Sequence, residues 1–311
     1  MDIQLPAEHP LISRCRQAEP AEIGAAITLQ TSKVLEAVRL VERGRIYDLT
    51  IDRYPGMPMP PMHPAFEVLR YRSPAGLESD PGEGWLKGDS NSERMFFNSE
   101  LVIACMHTGT HVDTLSHVTI GAEHRWYGGF TAAHDLGDFG PRHADASTLL
   151  PVFTRGILLD VAGALGVTAL PKASRIGPAE LEAAAANGGV SIEPGDVALI
   201  RTGYLGGWPD RAELVKHRDA GIDLEAAHWL AERGVIAVGA DTEGVEQLPT
   251  CHPTNPQPVH SYLLVERGIL LLELVYLEGL AADRVSSFLF IALPTKIKGA
   301  TGAFIDPIAV V

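Results

Sequence analysis

Short apolar runs closed by glycine or proline dominate the chain, but that texture begins only at Arg45. Ahead of it, residues 1–20 read as a poorly ordered lead, and Thr31-Ser32 opens a helix. Val34, Val38 and Val41 recur there at helical spacing until Gly44. Tyr47–Ile51 then reads as a strand and Tyr54-Pro-Gly-Met-Pro58 as the turn after it. Residues 73–94, rich in Gly, Ser, Asp and Glu, make a surface loop or lid, and Met95–Cys105 returns to strand texture. Gly156–Val161 and Asp196–Arg201 read as buried strands. Between them Pro178–Asn187 forms a short helix, with proline near its start and Gly188-Gly189 just past its end. Asp223 caps another helix that stops at Gly234, and Val235–Val238 follows as a strand. The alternation lacks the regular strand–helix–strand rhythm of a doubly wound sheet. No internal repeat, low-complexity tract or linker follows residue 45. The pattern therefore predicts an α/β chain with an N-terminal helical extension, residues 1–44, and one catalytic domain, residues 45–311.

Composition narrows the class. With 46% hydrophobic residues in 311, the chain can bury a real core, which excludes a disordered or fibrous protein. Lys and Arg number 25 against 39 Asp and Glu, a formal charge of −14. Such a surface repels phosphate backbones and anionic lipid, so the expected partner is a small-molecule substrate, with no nucleic acid and no membrane. Cys15, Cys105 and Cys251 form neither a disulfide framework nor a CxxC knuckle, which suits a reducing compartment. The N-terminal residues show no basic stretch followed by an apolar one. The apolar run Gly268–Leu277, interrupted by Glu273, is about half a membrane span. Cytoplasmic localisation is the expectation.

The densest polar group is Met106-His-Thr-Gly-Thr-His-Val-Asp-Thr-Leu-Ser-His117, with three His and one Asp among small or apolar neighbours. Imidazole nitrogen and carboxylate oxygen suit Zn or Mn. On a continuous helix His107 and His111 share a face but Asp113 points away. In a straight strand all four share a face, yet ten steps of about 3.3 Å separate His107 from His117 too far for one site. The chain must bend, and Gly109 is the natural place, leaving room there for an ion or substrate. Ser99 and Ser116 lack a nucleophile-elbow context, which discards a serine hydrolase. Cys105 reads as a small core residue and His252 as part of a surface loop.

His107-Thr-Gly-Thr-His111-Val-Asp113 followed by His117 resembles the HxGTHxDxxxH motif of the metal-dependent cyclase family, which includes bacterial kynurenine formamidases and isatin hydrolases. Tyr47–Thr50 with Gly56-Met-Pro58, Gly156–Asp160, Arg201-Thr-Gly203, Gly239-Ala-Asp241 and Pro294–Gly302 resemble its other segments, so the likeness covers roughly residues 45–311. One departure is Leu115, where members often have proline, and it can alter the bend without removing a ligand.

The resemblance implies a single domain with a mixed β-sheet or barrel-like β core flanked by helices. It implies His107, His111 and Asp113 as ligands of Zn or Mn, and His117 as an unligated general acid/base. His260 and Glu273, thirteen apart, are candidates for a second ligand pair, at a spacing slightly off the family's. Glu273 lies in an apolar run where an unpaired carboxylate is costly, so a structural ion pair is the alternative for it. The implied activity is hydrolysis of a C–N bond in a cyclic amide or N-formyl amide by metal-activated water, with no organic cofactor. Lactone hydrolysis or ring closure on the same site, or an inert metal-binding protein, are the alternatives. Family members associate, so a homodimer or homotetramer is expected. Trp85 and Trp126-Tyr127 are candidate pocket lining.

Overall fold

A computed structural model describes residues 20–80 and 82–311. The lead expected over residues 1–20, with Cys15, lies outside the described residues apart from Pro20, which opens a short helix, Pro20–Ile23. The core is one curled nine-stranded sheet. Its strands, numbered among themselves, are β1 (Ile46–Asp48), β2 (His111–Asp113), β3 (Val152–Asp160), β4 (Val197–Arg201) and β5 (Ala237–Ala240). They continue with β6 (Leu270–Glu273), β7 (Ser287–Ala292), β8 (Gly302–Phe304) and β9 (Ile308–Val310). The spatial order is β1-β9-β7-β3-β4-β5-β6-β2-β8. Strands β3, β4, β5 and β6 run parallel, and every other pairing is antiparallel. The fold is thus the mixed α/β sheet flanked by helices that the resemblance implied.

The parallel centre explains why Val197–Ile200 and Ala237–Ala240 are unbroken apolar runs. A parallel strand is covered on both faces, so neither side turns to water, and all of these residues are buried. The Pro178–Gly188 helix ends at Gly189 in the left-handed region (φ +63°), as its two glycines predict. Leu224–Glu232 begins where the Asp223 carboxylate accepts the Ala226 N–H at 2.7 Å.

Three local expectations change. The first helix spans only Thr31–Val38 and lies on β3 through fully buried Ala37, whereas Val38 of the expected stripe stays 45% exposed. Residues 73–94 are not bare loop: the Ser73 hydroxyl caps a helix, Pro74–Ser79, and Leu77 and Leu86 are buried. Ser99–Ile103 is a strand, but its partner Glu67–Arg72 was not expected, and the two form an antiparallel ribbon outside the main sheet. Among the described residues no helix is long and apolar enough to cross a membrane.

Candidate metal centre

The site is built on β2, which lies between β6 and β8. Strand alternation puts His111 and Asp113 on one face and sends Val112 into the core. Register places Glu273 directly opposite His111, and Gly302 opposite Asp113. Glycine is required at 302 because a Cβ there would lie 2.6 Å from Cε1 of His107. The bend before β2 falls at Gly109 (φ +64°), as predicted. The space beside it, however, holds no room for an ion or substrate: it is filled by Arg53, whose Cγ would be 3.0 Å from an added Cβ. The Arg53 guanidinium donates to the carbonyls of Thr108 (3.1 Å), Thr110 and Ile305 (3.0 Å) and pairs with Asp306. Thr110 Oγ1 donates to the Leu274 carbonyl and accepts the Ile51 N–H. The His107–His111 loop is therefore pinned from both sides.

The six site residues singled out in the sequence come together, the other five around Asp113. His107 Nδ1 is 2.7 Å from its Oδ1, and His111 Nε2 is 3.5 Å from the same oxygen. His117 Nε2 and His260 Nε2 each lie 3.9 Å from Oδ2. Glu273 bridges the far side, 3.3 Å from His111 Nε2 and 3.3 Å from His260 Nε2. Ligand atoms of His107, Asp113 and His117 fall within 4.8 Å of one another, as do those of His111, Asp113 and Glu273. Asp113 belongs to both groups.

The chemistry of this set fits a divalent cation. His111 Nε2 and Asp113 Oδ2 are buried and make no hydrogen bond, a costly condition unless another group supplies a partner. His111 Nδ1 is 2.7 Å from the Gly109 carbonyl, which keeps that nitrogen protonated and turns Nε2 toward the carboxylates. Burial alone would drive His111 and His260 toward neutrality. Their carboxylate neighbours outweigh it and hold both up to about 10. Burial likewise pushes Asp113 upward, but His117, His107 and His111 hold its carboxyl well below the usual carboxylate range. Protons on two imidazoles thus supply positive charge between two buried carboxylates, a role an ion can take over.

His117 differs. Its side chain is 32% exposed, the most open of the group, and its imidazole is lowered by burial and then by the neighbouring imidazoles, against the pull of Asp113. It faces a cavity of about 230 Å³ whose wall includes His63, His107, Arg218, Thr242 and Gln257. Thr242 Oγ1 is buried there without a partner. Trp85 and Trp126-Tyr127 do not line this cavity: Trp126 is core, Tyr127 packs against Gly268, and Trp85 sits on Phe97 at the surface. His252 is exposed in its loop, Cys105 is half-buried and Cys251 exposed, both unpaired.

Sequence reasoning missed Arg53, His63 and Glu246. Half-buried Arg53 and buried Glu246 do their work on backbone atoms and on another side chain, and neither sits in a recognisable spacing. His63 stands in a proline-rich turn, Met57-Pro-Met-Pro-Pro-Met-His63, that brings its ring centroid 6.3 Å from that of His107. A histidine amid prolines was the available signal.

Four histidines and two carboxylates gathered on and beside a mixed sheet, at the edge of a polar cavity, define an α/β protein with a centre able to hold divalent metal. The Cyclase family model matches residues 47–247, more than half the chain, and the protein belongs to that family. No curated relative matches it. A solved structure described as a novel cyclase superposes with a TM-score of 0.80 at 27% identity, covering 96% of this chain and 99% of its own. Isatin hydrolase A from Labrenzia aggregata gives 0.59 at 22% identity, over 85% of this chain and 93% of its own. The enzyme of that name from Ralstonia solanacearum gives 0.61 at 19%, over 91% and 98%. The last two likenesses concern the fold.

Proposed function

We propose that the protein is a metal-dependent hydrolase that opens the C–N bond of a cyclic amide or N-formyl amide. The observation that carries this reading is the pair of buried, unpartnered ligand atoms, His111 Nε2 and Asp113 Oδ2, in a six-residue cluster at the edge of a polar cavity. Similarity to isatin hydrolases, whose substrate is a cyclic amide, supports the bond type.

In this reading His107, His111, Asp113, His260 and Glu273 would hold Zn or Mn, with Asp113 common to two candidate positions. A bound ion of this kind acidifies a water and polarises a carbonyl. His117 Nε2 accepts a proton from the attacking water and returns it to the departing nitrogen, a role that fits an imidazole lowered by burial and open to the cavity. Thr242 Oγ1 and the Arg218 guanidinium, which line the same cavity, would offer donors to substrate oxygens. The geometry equally allows His117 to ligate, so its substitution separates the two roles. The direct test is turnover of isatin, N-formylkynurenine and simple lactones by the metal-loaded protein. Ring opening or deformylation of an amide supports the proposal, and turnover confined to lactones replaces the bond type.

Self-association as a homodimer or homotetramer accompanies this proposal. It is supported by the ribbon, which leaves Val68, Leu69, Leu101, Val102 and Ile103 exposed. Light scattering that returns a single-chain mass at every concentration contradicts it. Unpaired Cys105 and Cys251 support residence in the cytoplasm, which cell fractionation checks.

A further inference from the structure

His260 reaches the centre from a different part of the chain, and one side chain holds it there. Glu246 is 2% exposed and spends both carboxylate oxygens on the His260 segment. Its Oε1 accepts the backbone N–H of His260 at 3.0 Å and contacts His260 Nδ1, while its Oε2 accepts the Val259 N–H at 3.3 Å. Those two N–H groups open the helical segment that runs from Pro258–His260 into the wider turns of Ser261–Glu266, where no preceding turn can satisfy them. One carboxylate therefore caps the segment and orients the imidazole. With Nδ1–H given to Glu246, Nε2 is aimed at Glu273 and Asp113, where an ion would replace its proton.

The surrounding backbone is shaped to deliver this carboxylate. Val245, just before it, adopts φ +49°, a left-handed conformation that a β-branched residue enters only under constraint. The constraint is visible: Ile222 N–H donates to the Val245 carbonyl and Gln247 N–H to that of Ile222, both at 3.0 Å. Gly221 lets the chains approach, since a Cβ there would sit 2.3 Å from the Val245 oxygen. The strain is concentrated at the residue that turns Glu246 inward.

We infer that Glu246 is the positioning residue of the metal centre, fixing His260 as an Nε2 ligand and setting how tightly the ion on the His260–Glu273 side is held. This rests on the two-position reading above. The test loads the full-length protein with Zn and removes it with graded chelator, comparing wild type with Glu246→Gln and Glu246→Ala. Melting curves verify folding, and the visible spectrum of Co-substituted protein reports ligand geometry. Wild type should release its ions in two steps. Glu246→Ala should release the weaker one at about 10–100-fold lower chelator strength, with the other step unmoved and the Co spectrum altered. Glu246→Gln, which keeps the shape and one acceptor, should fall between the two. It decides the matter if the alanine variant does not fold. Wild-type release profiles and Co spectra in both folded variants overturn the inference alone. A wild-type protein that binds no Zn overturns the metal reading first and this inference with it.

Discussion

The two halves of the metal centre are held in place by different physics. His107, His111, Asp113 and His117 lie within one strand and its flanking bends, pinned by Arg53, Thr110 and the empty place at Gly302. His260 and Glu273 come from a helical turn and a strand elsewhere in the chain. Glu273 is fixed by sheet register and His260 by a single carboxylate. The first half is a self-supporting local motif. The second exists only once β6 has docked on β2, so its geometry depends on long-range packing and on Glu246. Damage to the local half should therefore remove the centre outright, while damage to the distant half should weaken it by degrees.

The largest effect is expected for His111→Ala, which deletes a buried ligand from the group it shares with Asp113 and Glu273. Metal retention after dialysis and turnover should vanish together, and full metal content in this variant contradicts the assignment. Next comes His117→Ala, which should lower turnover by about 10²–10⁴-fold while metal stays bound, with loss of the acidic limb of the pH profile. If metal departs with His117, the residue is a ligand and the base lies elsewhere. Gly302→Ala sharpens the contrast without replacing any ligand. Its new methyl meets the His107 ring, and overpacking of this kind costs about 1–3 kcal/mol, measurable by denaturant unfolding together with weakened metal binding. An alanine variant as stable and as tightly loaded as wild type contradicts the account of that glycine.

The smallest and most diagnostic effect is electrostatic. In metal-free protein His111 and His260 are held up to about 10 from an ordinary value of 6.5. A raised folded-state value means that their stabilising contribution is fully present below about 6.5 and is lost as pH climbs toward 10. Asp113 and Glu273, lowered in the fold, contribute fully above the ordinary carboxylate range and lose that contribution as pH falls from there through their lowered values. His117 and His63 add a weaker pull in the acidic direction, since their lowered imidazoles favour the fold when neutral. Chelator-stripped protein should therefore melt at a progressively lower temperature from pH 6.5 to 10, and metal-loaded protein should not share that decline. Equal slopes for the two forms contradict the view that ion and protons compete for the same place.

How much of this was legible beforehand follows from the same division. The local half could be read because its ligands share a short segment, and the geometry of strand and helix alone demanded a bend that Gly109 supplies. Glu273 was visible as a charge inside an apolar run, but only the register of β6 against β2 says that it faces His111. Arg53 was opaque because it acts on carbonyl groups, which every residue possesses. Glu246 was opaque because its partner lies fourteen positions further along the chain, at no recognisable spacing. The ribbon strand Glu67–Arg72 was missed because its arginines and glutamate mask the alternation, and the helix Thr31–Val38 was misplaced because it buries Ala37 instead of its valines.

The central claim, that one shared carboxylate organises a metal centre from both halves, is tested most directly by the metal content of the purified protein. Element analysis after dialysis against metal-free buffer, followed by titration with Zn and with Mn, should give about two equivalents per chain, bound with release of protons. A protein that retains no transition metal, takes up neither ion in titration and melts unchanged in chelator would contradict it.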